Sequence, residues 1–375
     1  MIRKLLATSL AALMFAGAFA ATGTASAAGE LVLPAPTGPA AVGRSTLHLT
    51  DHSRRDPWVP ERPRELMVSL YYPAQPGTGS PARYLSTEEA RLLLEMQHRE
   101  DLVSPRKLSE TRTNARDHAR PVPGRHPLLV LSPGFTLPRA TLTVLTEDLA
   151  SRGYLVALVD HAYESSGAAF PGGRMLTCVA CAEVERTGDA GYRRVAQTRA
   201  RDVSFVLDRL GTFGRLVDRG RIGIAGHSIG GNTAAVAMAG DPRFRAGVNL
   251  DGEYFEPVTG LSGRPFLMMG TETLHRPDGG DRTWPRDWPR FDGWKRWLTV
   301  AGSGHFSFID LPVLAAQLGV TDPAAPLPGT RSGEITRAYT GAFFDQHLRS
   351  LPRPLLDGPS AEQPEVGFHS PQPTG

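Results

Sequence analysis

Ser228 stands in "RIGIAGHSIGGN", residues 221–232, between two glycines, after a short apolar run and before an alanine-rich one. A serine hydroxyl is a poor nucleophile at neutral pH and needs an imidazole base, itself oriented by a carboxylate. G-x-S-x-G is only five letters, but here a strand signal, "RIGIAG", precedes it and a helix signal, "GGNTAAVAMAG", follows. A nucleophile is mounted in that order on a sharp strand-to-helix turn, with glycines leaving room for the backbone. The helix start also aims N–H groups and a positive dipole at developing negative charge. A phosphate-binding loop would carry a lysine beside these glycines, and this segment has none.

On such a turn the chain order is serine, acid, histidine. Three histidines lie well downstream. His275 reads as part of a charged loop and His347 as part of an outward-looking final helix. His305, in "VAGSGHFSF", occupies a glycine-rich loop just after an apolar strand, and is the candidate base. Two acids compete: Asp251 ends "AGVNLD", and Glu272 follows "PFLMMG". Both belong at the carboxyl edge of a sheet, where sites of open α/β folds form, and position alone does not choose between them. Ile229, the residue after the serine, is one candidate backbone donor for an oxyanion; Phe135, in "SPGFT", is the other.

These groups need a scaffold. "PLLVLS" (127–132), "YLVALVD" (154–160), "IGIAG", "AGVNLD" (246–251), "PFLMMG" (265–270) and "RWLTVAG" (296–302) are short apolar runs bounded by turn residues, as buried parallel strands are. Helical periodicity between them ("RATLTVLTEDLASRG", "RRVAQTRARDVSFVLDRL", "EITRAYTGAFFDQHLRS") implies an α/β fold, a mostly parallel sheet covered on both faces, as a single domain. Earlier strands are expected at "STLHLT" and "ELMVSLYYP". The region 84–126 contains a helical pattern with a Ser86–Glu89 capping box, and reads either as a lid or as a solvated surface insertion.

Residues 1–27 have the basic start, apolar core and "ASA" end of a secretory signal, so the mature chain is expected to begin near Ala28 and to be exported. A Pro/Gly-rich leader (28–44), the main domain (45–350) and a loosely held proline-rich tail (351–375) complete the expected organisation. Cys178 and Cys181 form "CVAC"; one isolated pair cannot complete a zinc site, and behind a signal peptide a local disulfide is the expected state. Without Arg3 and Lys4 the chain has 39 basic against 38 acidic residues, so no net field points to nucleic acid. Only three of its 41 basic residues are lysine, as in a GC-rich genome. Four of the five tryptophans crowd "RTWPRDWPRFDGWKRW", either as a wall for an acyl chain and a transient lipid-surface contact, or as packing against the sheet; packing is the preferred reading. Asp160 and His161, at a strand end, are expected to support the site rather than react.

The segments "RIGIAGHSIGGN…DPRFRAGVNLDGEYF", "AGSGHFSFIDLP" and "LLVLSPGFTLPRATLTVLTEDLASRGYLVALVDHAYE" resemble the secreted platelet-activating-factor acetylhydrolase family of α/β-hydrolases, over about residues 66–348. The resemblance implies Asp251 as the acid beside Ser228 and His305, and a serine esterase that needs no metal or cofactor. Its substrates would be short-chain acyl esters or acetylated and oxidised phospholipids, and a monomer is the default. The family's "HG" turn is "PG" here, at Pro133–Gly134. "SPGFT" is also similar to the "SPGYT" of bacterial cutinase-like polyester hydrolases, whose acid lies at the Glu272 position. A third expectation, from a different class, is an inactive binding protein on the same fold.

Overall fold

The computed structural model describes residues 29–370; the signal segment expected at 1–27 lies outside them. Eleven of the strands form one sheet: β1 (Ala41–Arg55), β2 (Pro63–Ala74), β3 (Ser80–Arg83), β4 (Arg112–Asp117), β5 (His126–Ser132), β6 (Leu155–His161), β9 (Val217–His227), β10 (Phe244–Leu250), β11 (Phe266–Thr271), β12 (Lys295–Val300) and β13 (Val366–His369). A separate two-stranded ribbon joins β7 (Ala168–Phe170) to β8 (Arg174–Leu176). The sheet order is β13-β12-β11-β10-β9-β5-β6-β2-β1-β4-β3, and the six strands from β12 to β6 run parallel.

Continuous apolar runs follow from burial on both faces. In β5, Leu129 and Leu131 face one core with Phe343 and Phe344 of the helix Gly329–Arg349. Leu128 and Val130 face the other, with Val203 and Val206 of the helix Asp189–Asp208 and Ala234 of the helix Ile229–Gly240. Period-two alternation thus serves two hydrophobic layers at once.

Several expectations are corrected. β1 begins at Ala41, inside the expected leader, because the twelve-residue β2 offers it partners as far as Ala74. Part of the 84–126 region belongs to the sheet: after the capped helix Thr87–Met96, β4 pairs with β1 and β3 at the sheet edge. The tail is not loose at 366–369, where β13 pairs antiparallel with β12. The tryptophan run packs, as preferred from sequence: Trp284 and Trp297 are fully buried, and Trp288 nearly so. His347 does not look outward; its ring lies 4.4 Å from Trp294 and 4.8 Å from Phe343. Among the described residues, no helix is long and apolar enough to cross a membrane.

Candidate active site

Ser228 sits where β9 gives way to the helix Ile229–Gly240, with φ 57° and ψ −128°. This left-handed geometry lifts a side chain out of a sharp turn at a backbone cost, which the surroundings must enforce. Two glycines do so by close approach. A Cβ on Gly226 would meet the Gly230 backbone at 2.2 Å, and one on Gly230 would meet the Ser132 carbonyl at 2.1 Å. The Ser228 N–H donates to Leu250 O at the end of β10 (2.8 Å), tying the elbow to the neighbouring strand.

Asp251 follows β10 and also has a positive φ, 57°. Asn249 secures this turn: its Nδ2 donates to Gly252 O (2.7 Å) and its Oδ1 accepts from Gly252 N–H (2.8 Å). His305 follows β12, and the fully buried His227 holds its backbone, donating from Nε2 to His305 O (2.8 Å). Together the three loops bring Ser228 Oγ within 3.0 Å of His305 Nε2, and His305 Nδ1 within 2.7 Å of Asp251 Oδ2. Asp251 is 1 % exposed, whereas His305 faces solvent. Burial alone would raise the Asp251 carboxyl, but the imidazoles of His275 and His305 outweigh it and hold the group well below the usual range. For His227, burial and then the nearby His305 push the imidazole down to about 3, so it stays neutral.

Glu272 is brought elsewhere. It is half-buried at the start of the short helix Glu272–His275, no hydrogen bond joins it to His305, and its charge acts on His369 of β13. His275 is the residue misjudged from sequence. It is 1 % exposed, and its Nδ1–H donates to Asp251 Oδ1 (2.8 Å). No signal in its own loop could have found it, because the groups that bury it, Asp251, Trp284 and Trp297, come from the end of β10 and from the tryptophan-rich run that follows.

Phe135 lies in the turn after β5, across from Ile229. Among the described residues, neither backbone N–H donates in any bond outside the regular elements. A buried polar cluster sets this turn: Arg199 Nη1 donates to Pro133 O (2.6 Å), its Nε to Glu164 Oε2 (2.6 Å), and the Thr136 N–H to Glu164 O (3.0 Å). Arg64 ties the cluster together, donating to Asp202, Asp56, Glu164 and the Ala162 carbonyl. His161, from β6, bridges Asp202 (2.8 Å) and Ser132 Oγ (3.1 Å), while Asp160 pairs with Arg139. Nearby, Cys178 and Cys181 form a disulfide. Partly buried Phe135, Tyr192 and Phe255 form an aromatic run, with Tyr192 stacked on Phe255 at 4.6 Å.

The sheet order, the serine elbow after β9 and the Asp251 and His305 loops at the carboxyl ends of β10 and β12 define an α/β-hydrolase. The family model "Platelet-activating factor acetylhydrolase, isoform II" matches residues 25–174 and 196–321. The chain belongs to that family. It is 28% identical over 378 residues to a probable 1-alkyl-2-acetylglycerophosphocholine esterase of Arthroderma benhamiae, covering 90% of this chain and 94% of that one. Against the platelet-activating factor acetylhydrolase of Cavia porcellus it is 25% identical over 214 residues, covering 50% of this chain and 49% of that one. A solved ferulic acid esterase from Streptomyces cinnamoneus superposes with a TM-score of 0.81 at 42% identity, covering 91% of this chain and 100% of that one. The protein is therefore a carboxylic ester hydrolase.

Proposed function

We propose that the protein is an exported serine esterase in which Ser228 attacks the ester carbonyl, His305 takes the serine proton, and Asp251 fixes the His305 tautomer. The observation that carries this reading is the unbroken relay Ser228 Oγ–His305 Nε2 (3.0 Å) and His305 Nδ1–Asp251 Oδ2 (2.7 Å). As Oγ bonds to the carbonyl carbon, the carbonyl oxygen gains charge and is met by the N–H groups of Phe135 and Ile229, each worth about 3 kcal/mol. The His305 imidazolium, paired with buried Asp251, returns its proton to the departing alcohol. Water then attacks the acyl-enzyme, giving its proton to His305, and the acid leaves with Ser228 restored. Glu272 has no bond to His305, which removes the support for it as the acid.

The substrate class favoured is small aryl-carboxylic esters. The 42% identity to a ferulic acid esterase and the Phe135–Tyr192–Phe255 aromatic run beside the elbow support it. A second reading, acetylated glycerophospholipids, has the support of the 28% identical esterase, which covers nearly the whole chain. Export rests on the 1–27 signal pattern and agrees with the Cys178–Cys181 disulfide.

A fluorophosphonate probe should label the wild type and not Ser228→Ala; absence of labelling of the wild type at neutral pH would refute Ser228 as the nucleophile. Methyl ferulate, p-nitrophenyl esters of increasing acyl length and an acetylated glycerophosphocholine, compared by kcat/KM, decide the substrate. Methyl ferulate should win, and a preference for the phospholipid would overturn that choice. N-terminal sequencing of protein from the medium should begin near Ala28.

A further inference from the structure

Asp251 is held from two sides. Its Oδ2 accepts from His305, while its Oδ1 accepts both the Thr271 N–H (2.6 Å) and His275 Nδ1–H (2.8 Å). His275 is as buried as the carboxylate it serves, and its other nitrogen, Nε2, lies 3.4 Å from Asp281 Oδ2 without a hydrogen-bond partner among the described residues. The ring is clamped. It lies 4.2 Å from the Trp284 ring, and Trp297 Nε1 donates to its backbone carbonyl (2.5 Å). The approach also needs Gly270, where a Cβ would stand 2.8 Å from His275 Nδ1 and 2.9 Å from Asp251 Oδ1.

The charged groups facing this ring are acidic: Asp251 at the end of β10, Glu253 just beyond it, and Asp281 before the helix Thr283–Asp287. His305 shares Asp251 with it from the far side. A buried imidazole between carboxylates favours its cationic form when their attraction exceeds the cost of burial. Burial lowers His275, but the charge of Asp251 and its hydrogen bond outweigh that, and the net direction is upward.

We propose that His275 is a positioning residue of the esterase site: as an imidazolium it locks the Asp251 carboxylate from the side opposite His305 and offsets its charge, so that the relay keeps working in more acidic solution. The inference rests on the Ser228–His305–Asp251 reading. Its physical content is simple. A lone buried carboxylate would stabilise protonated His305 by its full charge, whereas a carboxylate already paired with a cation does so less. A histidine protonated early cannot accept the serine proton, so the pair widens the working range on the acid side.

The test is the pH profile of kcat/KM on p-nitrophenyl acetate. His275→Asn keeps an N–H donor for Asp251 but carries no charge; His275→Phe removes both. The Asn variant should retain activity within about tenfold on the plateau, while its acid limb moves up by about one pH unit, so that the loss is about tenfold larger near pH 5 than near pH 8. The Phe variant should fall further in kcat with KM nearly unchanged. An acid limb that stays in place in both variants overturns the inference. Should either variant fail to fold, the His275 ring resonance in Ser228→Ala protein decides. It should report an imidazolium through neutral pH, and a neutral ring at pH 6 overturns the proposal. Residual turnover by Ser228→Ala would instead sink the underlying serine-esterase reading, which keeps the two failures apart.

Discussion

Replacing Asp251 by asparagine separates the competing acids, and the structure fixes how the amide must sit. Thr271 N–H and His275 Nδ1–H both converge on Oδ1, whereas only His305 Nδ1 faces Oδ2. The amide oxygen must therefore take the Oδ1 place, since the NH2 group there would oppose two donors. That orientation turns the NH2 toward His305 Nδ1, which must become an acceptor. The His305 proton then resides on Nε2, the atom that has to receive the Ser228 proton. A wrong tautomer of this kind costs about 10⁴-fold in kcat, near 5 kcal/mol of transition-state stabilisation. Hydrolysis of p-nitrophenyl acetate, with thermal melts to verify folding, should show that loss in Asp251→Asn and less than about a twofold change in Glu272→Gln. A folded Asp251→Asn enzyme with more than about a tenth of wild-type activity, or a larger loss in Glu272→Gln, would refute the tautomer argument.

Other outcomes follow from the packing. His227 takes up a proton below about pH 6.5 when unfolded but only near 3 when folded, so stability falls as pH drops through that window; urea titrations should show His227→Gln losing about 2–3 kcal/mol less near pH 4.5. Arg64→Lys, with three donors on a point in place of a planar fork, should cost about 3–5 kcal/mol in denaturant unfolding. Gly230→Ala, whose methyl would stand 2.1 Å from Ser132 O, should give little soluble protein. Reducing Cys178–Cys181 closes out only a three-residue separation, so calorimetry should show at most about 2 kcal/mol lost and esterase activity kept.

The alternation of apolar strands and helices was legible in the sequence because burial on both faces leaves unbroken hydrophobic runs, as in 127–132 and 154–160. The same was true of the strand-turn-helix around Ser228, where Gly226 answers to a contact with Gly230 only four residues on. Asp251 and Glu272 could not be ranked that way. Both end parallel strands, and what separates them is direction: one side chain turns toward the β12 loop, the other toward β13. Strand β13 itself, "VGFH", is too short to carry a period and forms only because β12 offers it an open edge. His275 was misread for a related reason. Its sequence neighbours Arg276 and Asp278 are exposed and charged, while the residues that enclose it arrive through tertiary folding.

The arginine cluster behind the Phe135 turn has a consequence for how this sequence can drift. With three lysines among 41 basic residues, the chain has the composition expected of a GC-rich genome. Solvent-facing arginines such as Arg91 and Arg106, paired only with exposed glutamates, could follow a change in that composition and become lysine at little cost. Arg64 and Arg199 could not. Each spreads several donors in one plane to carboxylates and carbonyls that no solvent reaches, a shape an ammonium cannot copy. In relatives with lysine-rich proteomes, these two positions should still read arginine while the surface around them does not.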